Sequence, residues 1–173
     1  DGFYIYTTED VLRMFDSVRD FKISAFQSPI TLSEGEKMAD LVNEHNIPVM
    51  GIEAEYRDEI IMTLINSGSV SILQIALVAC GGLSAGLRLC NKAANYDLPC
   101  SLEVSSTAVA ELAAFHLAAA HPSVLNVEFH MVHQVMFDQF PFSLDDIQGG
   151  LLRLPDKPGL GITLQYDKVE QVI

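Results

Sequence analysis

Asp1, Gln27, Glu53, Glu103 and Glu128 stand where apolar runs of the chain end, and Gln74 to Ala76 close one further run. If those runs are strands of one barrel, these residues meet at its C-terminal mouth, where barrel active sites lie. Carboxylates gathered there repel one another unless a divalent cation or raised pKa values relieve the charge, and oxygen-only donors favour Mg²⁺ or Mn²⁺ over zinc. The competing reading for any one of the 23 acidic residues is a solvated loop carboxylate. Other chemical patterns are weaker. His130 and His133 are spaced i, i+3 but have no third convergent ligand, which reads as surface or capping residues. His116, on an apolar helix, reads as a hydrogen-bonded core histidine. Ser105-Ser106-Thr107 has no nucleophile elbow, and Cys80, Cys90 and Cys100 have no C-x-x-C pairing.

The elements that must position the carboxylates follow a repeat. Apolar runs begin near Phe21, Ile47, Val70, Leu98 and Val124, about 23 to 28 residues apart, the length of a strand, a helix and two loops. The runs at Ile47 and Val70 are nearly continuous, as parallel strands buried on both faces require. Thr8-Glu9-Asp10 opens a helix carrying Val11, Leu12, Phe15 and Val18 at helical spacing, so a strand is expected to end near Asp1. Ser33-Glu34-Gly35-Glu36 predicts a capping box at the head of a helix whose Met38, Leu41 and Val42 share a face. Lys22 is assigned to a strand start and Lys92 to a helix, and Asp167 to Glu170 read as a last helix start. Strand-helix alternation with no antiparallel interlude predicts an α/β fold, either an open doubly wound sheet or part of a TIM-type (β/α) barrel. Gly81-Gly82 follows a strand but lacks a phosphate-loop pattern, which disfavours the first. The strands a barrel still needs are expected upstream of Asp1.

Charge narrows the partners. Ten basic against 23 acidic residues give a net charge of −13, which repels phosphate backbones and anionic membrane surfaces; neither nucleic acid nor membrane is expected. The apolar stretch Ala108 to Ala120 is interrupted by Glu111 and His116 and is shorter than the ~20 residues that cross a bilayer. Three cysteines inside apolar segments predict core thiols in a reducing, cytoplasmic compartment.

Asp1, Ala25-Phe26-Gln27-Ser28-Pro29, Pro48-Val49-Met50-Gly51-Ile52-Glu53, the Gly81-Gly82-Leu83 turn and Pro158-Gly159-Leu160-Gly161-Ile162, in that order, resemble the C-terminal barrel of the mandelate racemase and muconate-lactonizing branch of the enolase superfamily. The helix Ala113 to Ala120, then Pro122 and Glu128, resembles that family's last barrel helix and eighth strand. The resemblance implies that residues 1–173 are the C-terminal part of a modified (β/α)₇β barrel, with a capping domain and first strands upstream. It implies proton abstraction α to a carboxylate through a Mg²⁺-stabilised enediolate, leading to dehydration, racemisation or cycloisomerisation of a small acid. Carried over by position, Asp1, Gln27 and Glu53 are the metal ligands, a shell weakened by the neutral Gln27 unless a further oxygen such as Glu55 completes it; Glu128 matches the acidic residue ending strand eight. The chain departs from the pattern at Gln27, where a carboxylate is usual, and at Ala76 and Glu103, which replace an Asp-His dyad. Glu103 is then the expected acid or base. The expected partners are a small carboxylate substrate and further copies of the chain. The alternative is an inactive barrel kept for binding or assembly.

Overall fold

The computed structural model describes residues 1–53, 55–130 and 147–163. Five strands, β1 (Phe26–Gln27), β2 (Val49–Gly51), β3 (Ile72–Ala76), β4 (Cys100–Glu103) and β5 (Val124–Val127), form one sheet in the order β1-β2-β3-β4-β5. Every neighbouring pair is parallel. A doubly wound sheet reverses its strand order at a switch point. This one never reverses, so the barrel-type winding expected from the repeat is the one observed, although the described strands do not close on themselves. Helices fill the connections: α1 (Thr8–Val18), α2 (Gly35–Asn43), α3 (Asp58–Asn66), the short α4 (Leu77–Cys80), α5 (Leu83–Ala94) and α6 (Ala108–Ala120). α2 packs on β2, α5 on β3 and α6 on β5, and α1 meets α2 as α5 meets α6. The core between sheet and helices holds Met38, Leu41, Val49, Leu73, Leu102 and Leu112, all essentially inaccessible to solvent. Burying each side chain of this size contributes roughly 1.5–3 kcal/mol, which is what fixes the helices against the strands. Cys90 and Cys100 lie in this core, with Cys80 half-buried at its edge. Among the described residues no helix is long and apolar enough to cross a membrane.

The local signals fared unevenly. α1 starts at Thr8 as its acidic first turn suggests, and the cap is Thr7, whose side chain accepts from the Asp10 backbone N–H while Asp10 accepts from the Thr7 backbone N–H. The Ser33 capping box does not form. The chain first makes a 3₁₀ turn over Leu32–Glu34, α2 begins only at Gly35, Ser33 faces the Thr31 hydroxyl, and Glu34 pairs with Lys37. The first strand also begins later than Phe21, which is exposed and bonded back to Val18 in a turn; pairing starts only where Phe26 N–H reaches the Pro48 carbonyl. Lys22 therefore sits in a loop, and Lys92 is helical as expected, paired with Asp58. An antiparallel hairpin, β6 (Ile147–Gln148) with β7 (Leu151–Leu152), interrupts the βα pattern through the Gly149-Gly150 turn. The Asp167 to Glu170 helix start and His133 lie outside the described residues.

Candidate functional site at the strand ends

Parallel register decides which side chains meet. Gln74 of β3 is level with Ser101 of β4, and Ser101 with Asn126 of β5. Because strand side chains alternate faces, the next residues on that face are Ala76, Glu103 and Glu128. Ala76 is indeed level with Glu103, and Glu128 continues the ladder by donating its backbone N–H to the Leu102 carbonyl at 2.9 Å. Below them the Ser101 hydroxyl donates to Asn126 Oδ1 at 2.6 Å, so the polar layer beneath the mouth is tied across two strands. On the other side the first residues of the chain run along the end of β1, with Gly2 N–H on the Gln27 carbonyl and Tyr4 N–H on the Ser28 carbonyl, both at 2.7 Å. A Cβ at Gly2 would lie 2.7 Å from Pro29 Cα, so only glycine lets Asp1 reach this strand end.

All five predicted site residues, Asp1, Gln27, Glu53, Glu103 and Glu128, line one cavity of about 750 Å³ at these strand ends. The structure brings them to one place but not into one ligand shell. Asp1 Oδ1 accepts from the Phe3 backbone N–H at 3.0 Å. Glu53 accepts the Ser28 hydroxyl across both oxygens at 2.6 and 2.7 Å. Gln27 turns its amide N–H toward Glu128 Oε1 at 3.4 Å. Glu55, the extra oxygen considered for the shell, is committed elsewhere: it is buried and accepts from the Arg57 guanidinium and from the Tyr56 and Arg57 backbone N–H groups at 2.7–2.9 Å. Those Arg57 hydrogen bonds hold its carboxyl at about 2, against the opposing effect of burial. Ser28 and Ile52, next to Gln27 and Glu53, have φ of 42° and 80°. Non-glycine residues in that region cost on the order of 1–3 kcal/mol each, and such strain gathers at functional sites.

The tighter cluster is on the opposite strands. Ligand atoms of Glu103, Glu128 and His130 lie within 4.8 Å of one another, and Glu128 Oε2 is 3.5 Å from His130 Nε2. Glu128 Oε1 also accepts from the amide of Gln74, a residue only 1% exposed. Burial, then the nearby Glu103 carboxylate, push the Glu128 carboxyl above its usual range, with His130 opposing. Sequence reasoning gives no role to His130 and Ser28. His130 lacks a third ligand in the sequence, and Glu103 and Glu128 provide it through the fold. Gln74, in the run-closing segment, is at the mouth as expected. Ser28 had no signal beyond its place beside Gln27. His116 Nε2 is buried without a hydrogen-bond partner among the described residues, against the expectation of a bonded core histidine.

A family profile described as "Enolase C-terminal domain-like" matches residues 1–169. The chain belongs to that family. The chain is 25% identical over 170 residues to D-xylonate dehydratase of Haloferax volcanii, covering 98% of the chain and 41% of that protein. It is 27% identical over 171 residues to arabinonate dehydratase of Saccharolobus solfataricus, covering 99% and 46%. Further relatives are an epimerase, a cycloisomerase and a racemase. The crystal structure of 3,6-anhydro-D-galactonate cycloisomerase from Zobellia galactanivorans superposes with a TM-score of 0.85 at 25% identity, over 97% of this chain and 48% of that one. The chain thus spans less than half the length of these relatives, and its sheet is the corresponding part of an enolase-like barrel. The relatives share a lyase and isomerase chemistry class, in line with the expectation from sequence.

Proposed function

We propose that the protein is an enolase-superfamily enzyme that removes a proton α to the carboxylate of a small acid and completes a dehydration or an isomerisation. The observation that carries this reading is the convergence of Glu103, Glu128 and His130 on one wall of the cavity that Asp1, Gln27 and Glu53 also line. Proton transfer needs a group within hydrogen-bond reach of the substrate, held in one orientation. The orientation of Glu128 supports this role: amide N–H groups of Gln27 and Gln74 hold Oε1, leaving Oε2 beside His130. Glu103, level with Ala76 at the end of β4, faces the same space and is the second candidate acid or base. Ala76 lines the same cavity beside it.

The residues also fit Mg²⁺ by donor type, since Asp1, Gln27 and Glu53 offer hard oxygen atoms to one cavity. Bound there, the cation would supply Lewis-acid charge to the substrate carboxylate. The set carries two negative charges, because Gln27 is neutral. The Ser28 hydroxyl would keep Glu53 oriented, and the bonded Glu55 stays out of the shell.

The test is α-proton exchange. The full-length protein is incubated in D₂O with a panel of sugar acids and amino-acid derivatives, and ¹H NMR follows loss of the α signal. Exchange with at least one acid, lost in Glu128→Gln, supports the enzyme. A second reading, an inactive barrel kept for binding, has the neutral Gln27 and the missing Asp-His dyad in its favour. It is the one left standing if ligands bind and no exchange occurs.

A further inference from the structure

Glu128 Oε2 and His130 Nε2 are 3.5 Å apart. Two donors on one tetrahedral cation at roughly 2.0–2.2 Å per bond are separated by about 3.4 Å, so this pair already has the edge length of a bound ion. Glu103 supplies a third ligand atom within 4.8 Å of both, and the remaining closure is a rotation of a half-buried carboxylate. A second observation is independent of the three. Gln74 is 1% exposed, its amide lies against Glu128 Oε1, and its carbonyl oxygen is buried with no partner among the described residues. A buried amide oxygen without a donor costs about 1–3 kcal/mol. A half-turn of the amide exchanges that oxygen with the N–H now on Glu128, and a water on a cation held by Glu128 would donate to it there.

One imidazole with two carboxylates is a donor set for zinc and its neighbours, whereas Mg²⁺ keeps to oxygen and water. We propose that Glu103, Glu128 and His130 form a second cation site, for a borderline divalent metal of the zinc class, separate from the oxygen donors Asp1, Gln27 and Glu53. Three protein ligands leave a fourth position open to the 750 Å³ cavity. Under the reading above, a cation here occupies the oxygens that handle the proton, so zinc inhibits and a chelator restores turnover. The site itself needs only binding and stands apart from that reading.

The experiment is calorimetric titration of the metal-free full-length protein with Zn²⁺, with Mg²⁺ present in excess, and a parallel Co²⁺ titration followed by visible absorption. One Zn²⁺ should bind, and Co²⁺ should give the intense bands of a low-coordinate nitrogen-oxygen site. His130→Ala and Glu103→Ala should each weaken Zn²⁺ by about tenfold or more, while Asp1→Asn changes it by no more than about twofold. Unchanged Zn²⁺ affinity in His130→Ala, or a cobalt spectrum like that of the aqueous ion in the parent, overturns the proposal. His130 keeps about a third of its side chain in solvent, so His130→Ala should fold, and an unaltered melting temperature checks it. Zinc binding without α-proton exchange sinks the proposed reaction and leaves the site in place.

Discussion

The carboxylates on the two sides of this sheet are held in opposite ways. After β2, Glu53 shares the Ser28 hydroxyl between both its oxygens, and Glu55 is surrounded by the Arg57 guanidinium and two backbone N–H groups. On the β4 and β5 side, Glu128 takes two amide N–H groups on one oxygen and has His130 and another carboxylate beside it, and Glu111 of α6 has a buried oxygen with no partner among the described residues. The chemistry follows from the difference. A carboxylate held by local donors with no second carboxylate against it is kept in one orientation, which suits holding a cation. One that is buried beside another carboxylate takes up a proton more readily, which suits passing one on.

The largest effect that would break this contrast is loss of turnover. If the β5 side handles the proton, Glu128→Gln should lower the rate of α-proton exchange by about 10²–10⁴-fold with little change in substrate binding, because the amide keeps the shape but cannot accept the proton. NMR exchange and a binding titration on the same variant check both halves. A rate within a few-fold of the parent would mean that the two sides do not divide the work.

Next in size is a pH effect. Burial alone raises the Glu111 carboxyl from 4.5 to about 7, even though it sits in the first turn of α6, where the helix dipole favours the charge. The folded state therefore holds this proton more tightly than the unfolded state. The stability that the protonated form provides is complete below the unfolded value of 4.5 and is lost as the pH rises through about 7. A shift of this size corresponds to about 3 kcal/mol, an upper figure for this residue. Urea unfolding of the parent and of Glu111→Gln at pH 5 and pH 8 should show the parent losing stability and the variant losing less of it. Equal slopes would remove Glu111 from the comparison.

What could be read from the sequence divides along the same line. The five-strand repeat, the buried strands and the five cavity residues were legible because each depends on local periodicity or on the end of an apolar run. The place of His130 beside Glu103 and Glu128 was not, since it depends on how the chain leaves β5 and not on a strand end or a local period. Ser33 misled for the reverse reason. A capping-box pattern competes with the 3₁₀ turn that the backbone takes first. Thr7 and Asp10 hold the same kind of pattern with no 3₁₀ turn ahead of the helix, and there the box forms although Asp10 also pairs with Arg13.

A smaller prediction sharpens the cation side. Ser28→Ala removes the hydroxyl that spans both Glu53 oxygens, leaving the ligand free to turn. Loss of a supporting donor typically costs about 10–100-fold in metal affinity, so Mg²⁺ binding by calorimetry should weaken by that factor while the melting temperature moves little. Because Ser28 has φ of 42°, alanine keeps the same backbone cost and the comparison isolates the hydroxyl.

The smallest effect asks whether Glu55 owes its place to the ion pair or to the backbone. Arg57 is 62% exposed along its side chain and Glu55 is 5% exposed, so the guanidinium works partly in water and its attraction is screened. Two of the donors to Glu55 Oε1 are backbone N–H groups that Arg57→Ala leaves in place. Arg57→Ala should therefore cost only about 1 kcal/mol at neutral pH, the scale of a part-exposed pair. A buried carboxylate stripped of its partner would instead cost about 3–5 kcal/mol. Urea unfolding distinguishes the two values. The small one means that the turn after β2 satisfies its own carboxylate through the main chain and holds the Glu53 segment in place without help from the surface. The large one means that Arg57 is the anchor, and the rigidity of the cation side then depends on a single exposed side chain.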